Sequence, residues 1–233
     1  VTPPRRGPAD AGYLVFADVD ETVIRCRSPL EFLDHYFAER HGQAGRRYAA
    51  AVRADLDAAV AAGSSRDEAN RRYYAAWRGE RLADVRRSGR DWYLRRREEH
   101  GFFIGETVDA LHRHRAASAE VALVSGSFAA LLHPLAEELG ATHVLAAEPA
   151  TERGVLTGEL VGPPMIGEGK RRAVRALLAS RPAVDPGDCH AYGDHVSDLP
   201  MLQEVGHPTI VGGSPELLAL LPRANRLGVW VGV

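Results

Sequence analysis

Four apolar runs constrain this chain most, because each is too short for a helix and each stops abruptly at small or acidic residues. Tyr13 to Ala17 runs into Asp18, Asp20 and Glu21, and Val121 to Val124 into Ser125, Gly126 and Ser127. Cys189 to Tyr192 runs into Gly193 and Asp194, and Pro208 to Val211 into Gly212, Gly213 and Ser214. An unbroken apolar run of this length fits a strand buried on both faces of a parallel sheet. Helix-like segments at roughly 106–117, 127–140, 168–180 and 198–205 alternate with these runs. The alternation predicts an α/β fold built on a doubly wound parallel sheet, in which ligands collect beyond the carboxyl ends of the strands. Every polar turn named above falls at such an end.

The stretch 26–105 breaks the alternation. It offers no convincing strand and reads as several helices rich in alanine, arginine and aromatics, inserted as a cap between a core made of 12–25 and 106–233. Residues 1–11 read as a flexible tail. Within 26–105 there are 16 arginines against 12 acids, a balance of +4, while the remainder has 13 basic residues against 19 acids, a balance of -6. Opposite signs would help a lid close over an acidic site, although arginine-rich helices also simply present solvated faces. The segment "GVLTGELVG", 154–162, alternates around Gly158 as a small β-hairpin flap would.

The formal charge of -2 provides no global attraction to nucleic acid or acidic lipid. Arginines interleaved with Tyr73, Tyr74, Trp77, Trp92 and Tyr93 fit a helical bundle's core better than a nucleic-acid face. No apolar stretch is long enough for a membrane span. Cys26 and Cys189 have no CxxC partner, which fits neither a zinc knuckle nor a disulfide framework and favours a reducing, cytoplasmic setting. His112 and His114 lie on a polar helix and are expected to be solvated.

Four elements carry chemistry. Asp18 and Asp20 stand two residues apart at a frayed strand end, so both carboxylates can face one site, and adjacent anions there need a cation. Ser125-Gly126 follows a buried strand, where a hydroxyl and free amides at a helix start can hold a phosphate oxygen or simply cap the helix. Lys170 is the only lysine in the chain, a compact charge able to touch a phosphoryl oxygen beside a carboxylate. Its segment is no Walker loop, since Pro164 replaces the required glycine and Arg171 the Ser or Thr. Finally "GDHVSD" sets Asp194 directly after a strand and Asp198 four residues on, carboxylates that suit a hard ion such as magnesium.

In this order the elements resemble the haloacid dehalogenase superfamily of phosphatases, specifically the phosphoserine-phosphatase-like subfamily IB hydrolases. The pattern D-x-D-x-T, S-G, K, G-D-x-x-x-D is met by Asp18, Asp20 and Thr22, by Ser125 and Gly126, by Lys170, and by Gly193, Asp194 and Asp198. The resemblance implies a Rossmann-like core with a helical cap and hydrolysis of a small phosphorylated metabolite. Asp18 would be the nucleophile and Asp20 the general acid and base. Mg2+ would be held by Asp18, the Asp20 backbone carbonyl, Asp194 and Asp198, and the phosphoryl group by Thr22, Ser125, Gly126 and Lys170. Phosphotransfer to a second hydroxyl, or phospho-ligand binding without turnover, remain alternatives on the same scaffold. One departure stands out: where similar phosphoserine phosphatases carry an acid that receives the substrate ammonium, this chain has Arg27. A substrate other than phosphoserine is therefore expected, with Arg27, Tyr74, Trp77 and Trp92 as candidate substrate contacts.

Overall fold

The computed structural model describes residues 12–228; the expected tail at 1–11 lies outside them. The chain begins with β1 (Leu14–Ala17) and then leaves the sheet for α1 (Ser28–Ala61), α2 (Arg66–Ala75) and α3 (Leu82–Arg96). It returns through α4 (Gly105–Ala116) to β2 (Glu120–Phe128), α5 (Ala129–Leu139) and β3 (His143–Ala147). A hairpin of β4 (Pro149–Glu152) and β5 (Val155–Leu160) precedes α6 (Glu168–Ala179), β6 (His190–Gly193) and the single turn α7 (Leu199–Leu202). The described chain ends with β7 (His207–Val211), α8 (Pro215–Leu220) and β8 (Asn225–Leu227).

Six strands form one parallel sheet in the order β3-β2-β1-β6-β7-β8. β1 lies between β2 and β6 and all four of its residues are buried. Side chains alternate across a strand, so Val15 and Ala17 join the apolar cluster on one face and Leu14 and Phe16 the cluster on the other. Covering both faces is what makes β1 apolar throughout. Its carboxyl end is thereby fixed from both sides.

Of the four helices between β1 and β2, the first three, α1 to α3, form the cap. Pro29 sits in the first turn of α1, where its missing N–H costs nothing. Gly42, at φ 58° and ψ -134°, breaks α1 into two helical arms. The first arm packs Phe32, Tyr36 and Phe37 into an aromatic core with Tyr73, Tyr74, Trp77 and Trp92. Ser65 and Glu68 make a reciprocal capping box that sets the start of α2. Trp77 is fully buried, stacked on Phe32 at 5.3 Å, and meets Phe128 at the end of β2 edge-on at 4.9 Å. A ring from the sheet thus belongs to the cap's core. Trp77 and Trp92, 0 % and 4 % exposed, correct the expectation of substrate contact: their large apolar surfaces are used in packing.

Three further expectations change. The hairpin turns at Arg153 and Gly154, and Gly158 lies inside β5. At φ 81°, with a Cβ placed there only 3.1 Å from the Ala75 carbonyl oxygen, Gly158 serves close approach of β5 to α2. β2 runs on through Ser125, Gly126 and Ser127 to Phe128, which precedes α5, so Ser125 caps no helix. His114 is not solvated: its ring nitrogens bond to the hydroxyls of Tyr13 at 2.9 Å and Tyr192 at 2.8 Å. Among the described residues no helix is long and apolar enough to cross a membrane.

Candidate active site

The parallel register sets Ala17 level with Leu123 of β2 and Tyr192 of β6. One step on in β1 stands Asp18, and two steps on in β2 and β6 stand Ser125 and Asp194, so all three lie toward the carboxyl end of the sheet. Asp18 is still tied to the sheet, its N–H donating to the Tyr192 carbonyl at 3.0 Å. The chain then folds into a tight turn in which the Val19 carbonyl accepts from the N–H groups of Val23 at 2.8 Å and Ile24 at 3.0 Å. Val19 and Val23 are fully buried and anchor this turn. Glu21 takes φ 60°, the left-handed region uncommon for a residue with a side chain.

At the centre stands Lys170, from the first turn of α6 and 4 % exposed. Its ammonium donates to Asp18 Oδ1 at 2.5 Å and to Asp198 Oδ1 at 2.6 Å. Burial works against the charged ammonium, but Asp18 and Asp198 more than offset it and hold Lys170 protonated above its ordinary range. Burial pushes Asp18 up, Lys170 pulls it back, and Asp198 pushes it up again. Asp194 is raised to about 8, first by burial and then by repulsion from Asp18 and Asp198. One ammonium faces three carboxylates. Charge in the cluster is therefore under-compensated.

Carboxylate oxygens of Asp18, Asp194 and Asp198 lie within 4.8 Å of one another. This all-oxygen donor set, short of positive charge, fits a hard divalent cation and offers nothing for a soft one. Gly193 makes the grouping possible, because a Cβ there would sit 2.7 Å from Asp198 Cβ. Asp198 Oδ2 also accepts the His195 N–H at 3.1 Å, which fixes the turn between the two acids.

Thr22 donates to Asp194 Oδ1 at 2.8 Å. A hydroxyl has one proton, so in this arrangement Thr22 orients Asp194 instead of facing outward. Asp20 stands apart from the carboxylate cluster. Its Oδ1 accepts the Ser28 N–H at 2.8 Å, at the start of α1. Burial, reinforced by repulsion from Asp18, raises Asp20 to about 7. It thus holds a proton near neutrality. Ser125 is buried, and its Oγ accepts the Ser127 N–H at 3.1 Å, leaving its own proton free to donate. The Gly126 carbonyl accepts from the Tyr74 hydroxyl at 2.9 Å and from Asn70 Nδ2 at 3.2 Å. Tyr74 is therefore engaged with the backbone, in place of the expected open substrate face. Arg27 is exposed and paired with Glu21 at 3.0 Å.

Sequence reasoning missed Ser28, Asn70 and Ser127. A Ser at the first turn of the cap helix was the readable signal for Ser28; the other two act on or through backbone groups that leave no trace in side-chain identity.

A doubly wound sheet that gathers buried acids and a lysine at its strand ends, beneath a helical cap, defines an α/β protein whose centre suits a cation and an anionic ligand. The chain belongs to the haloacid dehalogenase-like hydrolases, whose family profile matches residues 15–203. A probable phosphatase of Mycobacterium tuberculosis is 40% identical over 108 residues, covering 46% of this chain and 37% of that protein. The match thus spans little more than a third of that relative's length. The phosphoserine phosphatase SerB1 of the same organism is 29% identical over 93% of this chain and 70% of its own length. Among solved structures, a Bordetella pertussis protein of unknown function superposes with TM-score 0.80 at 23% identity, covering 94% of this chain and 99% of that one. A phospho-aspartyl intermediate analogue of phosphoserine phosphatase superposes with TM-score 0.64 at 16% identity, over 93% of each chain.

Proposed function

We propose that the chain hydrolyses phosphomonoesters of small metabolites through an aspartyl-phosphate on Asp18. The observation that carries this reading is the Asp18 carboxylate, fixed at a buried strand end 2.5 Å from the Lys170 ammonium and grouped with Asp194 and Asp198. An Asp18 oxygen attacks phosphorus and the ester oxygen leaves, splitting a hard displacement into two easier ones. Asp20 gives its proton to the leaving oxygen. The resulting carboxylate then takes a proton from water, which cleaves the acyl phosphate and frees Asp18. Ser125 Oγ, the Gly126 N–H and Lys170 would stabilise the charge that develops on the phosphoryl oxygens, the largest contribution in such transfers.

Mg2+ would be held by the carboxylates of Asp18, Asp194 and Asp198 and the Asp20 backbone carbonyl, where it would supply the positive charge this cluster lacks. Thr22 holds Asp194 in place for it. The substrate reading departs from the relatives named phosphoserine phosphatase. Arg27, exposed at the start of α1, would repel an ammonium, so the preferred ester carries an anionic or polyhydroxyl group in place of the amino group of phosphoserine. p-Nitrophenyl phosphate turnover with and without magnesium tests the activity, and a metabolite phosphate panel tests the preference. Absence of magnesium-dependent phosphate release would leave a phospho-ligand binding module; transfer to an added alcohol in preference to water would make the chain a phosphotransferase.

A further inference from the structure

The pairing of β2 with β3 jumps from Ser125–Ala146 to Phe128–Ala147, so Gly126 and Ser127 bulge out of the ladder. Backbone groups released in this way must be satisfied elsewhere. The Ser127 N–H turns inward to Ser125 Oγ at 3.1 Å. The carbonyl of the same peptide unit, Gly126 C=O, turns to the cap and accepts from both Tyr74 Oη at 2.9 Å and Asn70 Nδ2 at 3.2 Å. A carbonyl has two lone pairs, and both are taken by α2. Neither end of this peptide unit is left to water.

The approach is close. A Cβ on Gly126 would lie 3.2 Å from Asn70 Nδ2 and 3.2 Å from Ile166 Cγ1, so a cap side chain and one from the segment before α6 rest directly on the loop. Asn70 Oδ1 is buried without a partner. Rotating the amide would oppose two acceptors at Gly126, so the donor stays on the carbonyl even though the acceptor goes unsatisfied. The fixed peptide unit leads straight to the catalytic edge, because Ser125 Oγ, held as acceptor by the Ser127 N–H, has its single proton directed elsewhere. A parallel link runs from Ser127 Oγ to Ser28 Oγ at 3.3 Å, and the Ser28 N–H is the donor to Asp20.

We infer that Tyr74 and Asn70 are positioning residues: two cap donors that grip the Gly126 carbonyl and so set the orientation of the Ser125-Gly126 loop when the cap is seated. The inference rests on that loop receiving the phosphoryl group, as proposed above. Cap seating and the loop's donor geometry then become one event. Neither Tyr74 nor Asn70 touches the reacting atoms in this role.

The test uses the full chain as wild type, Tyr74→Phe, Asn70→Ala and the double variant. It measures steady-state hydrolysis of p-nitrophenyl phosphate with magnesium, inhibition by orthovanadate, and amide hydrogen exchange over residues 124–128. Each single variant should lower kcat about three- to tenfold with little change in KM, in line with one hydrogen bond felt mainly in the transition state. The double variant should fall by more than the product of the two, because either donor alone still holds the shared carbonyl. Orthovanadate should bind more weakly and exchange over 124–128 should quicken, with exchange in α1 and α3 unchanged. Unchanged kcat and exchange in a folded double variant would overturn the inference, as would exchange rising equally across the whole cap, the mark of a merely structural contact. A wild type without turnover would overturn the phosphatase reading instead, and the exchange measurement would still decide whether these donors hold the loop.

Discussion

Thr22 Oγ1 donates to Asp194 Oδ1 at 2.8 Å, joining the turn after β1 to the end of β6 across 172 residues of sequence. A donor that orients a metal-binding carboxylate is worth about 10- to 100-fold in metal affinity. Thr22→Val keeps the volume and removes the donor. The magnesium concentration for half-maximal activity is expected to rise at least about tenfold, while the magnesium-free protein melts within a few degrees of wild type.

Asp18→Asn removes the proposed nucleophilic carboxylate and one member of an under-compensated cluster. Phosphate release should fall by about a thousandfold or more, the scale of losing a covalent nucleophile. Circular dichroism should show a folded protein, and melting without magnesium should occur at or above the wild-type temperature, since burial already raises the Asp18 carboxyl. Turnover retained in this variant would refute the aspartyl-phosphate route.

Asp20→Asn keeps an acceptor for the Ser28 N–H but carries no transferable proton. General acid help matters in proportion to the basicity of the leaving group. The variant should lose about a hundredfold or more on an alkyl phosphate and much less on formation of the aryl-derived intermediate from p-nitrophenyl phosphate. Burst kinetics separate the two steps. Equal losses in both would show that Asp20 acts only as a structural acceptor.

Arg27→Glu reverses the charge at the start of α1, beside Glu21. Phosphoserine turnover relative to an ester bearing a carboxylate and no amine should rise about tenfold, a change read directly as a ratio of kcat/KM values. A ratio unmoved by the substitution would remove Arg27 from the determinants of selectivity.

His190 offers a pH prediction away from the site. Its ring lies 4.3 Å from His114, 4.6 Å from His207 and 5.4 Å from Tyr13. Burial, then the like charges of His114 and His207, lower it to about 4. A depressed histidine binds its proton in the unfolded chain first, so its contribution is full above about 6.5 and declines as pH falls toward 4. Screening of this partly exposed ring leaves about 1 kcal/mol of that dependence. His190→Phe should flatten the pH profile of urea unfolding over that window, by comparison with wild type under identical conditions.

How far the sequence could be read follows from where each residue's information lies. β1, β2, β6 and β7 were legible because parallel strands buried on both faces exclude polar residues, and the acids and Ser125 stand out where exclusion ends. β3 carries His143 and is only half buried for most of its length, while β8 is three residues on the sheet's edge, so neither shows that contrast. Gly158 reads as a turn because a strand glycine and a turn glycine look alike until the neighbouring Ala75 carbonyl is known. Trp77 and Trp92 read as substrate contacts because composition cannot tell a cap's interior from its inner surface. The grip on the Gly126 carbonyl was unreadable for a deeper reason: its acceptor belongs to the backbone, which every residue shares.

Phe128 ends the strand that carries Ser125 and Gly126, yet its ring lies among Phe32, Tyr73, Tyr74 and Trp77. Lifting the helices away from the sheet would draw this ring into water, at a cost of about 2–3 kcal/mol. A door on such a spring would stand ajar for at most about one molecule in a hundred at any instant. Traffic in and out would then favour compact metabolites able to slip past the rim, and bulky esters would wait on the rare swing.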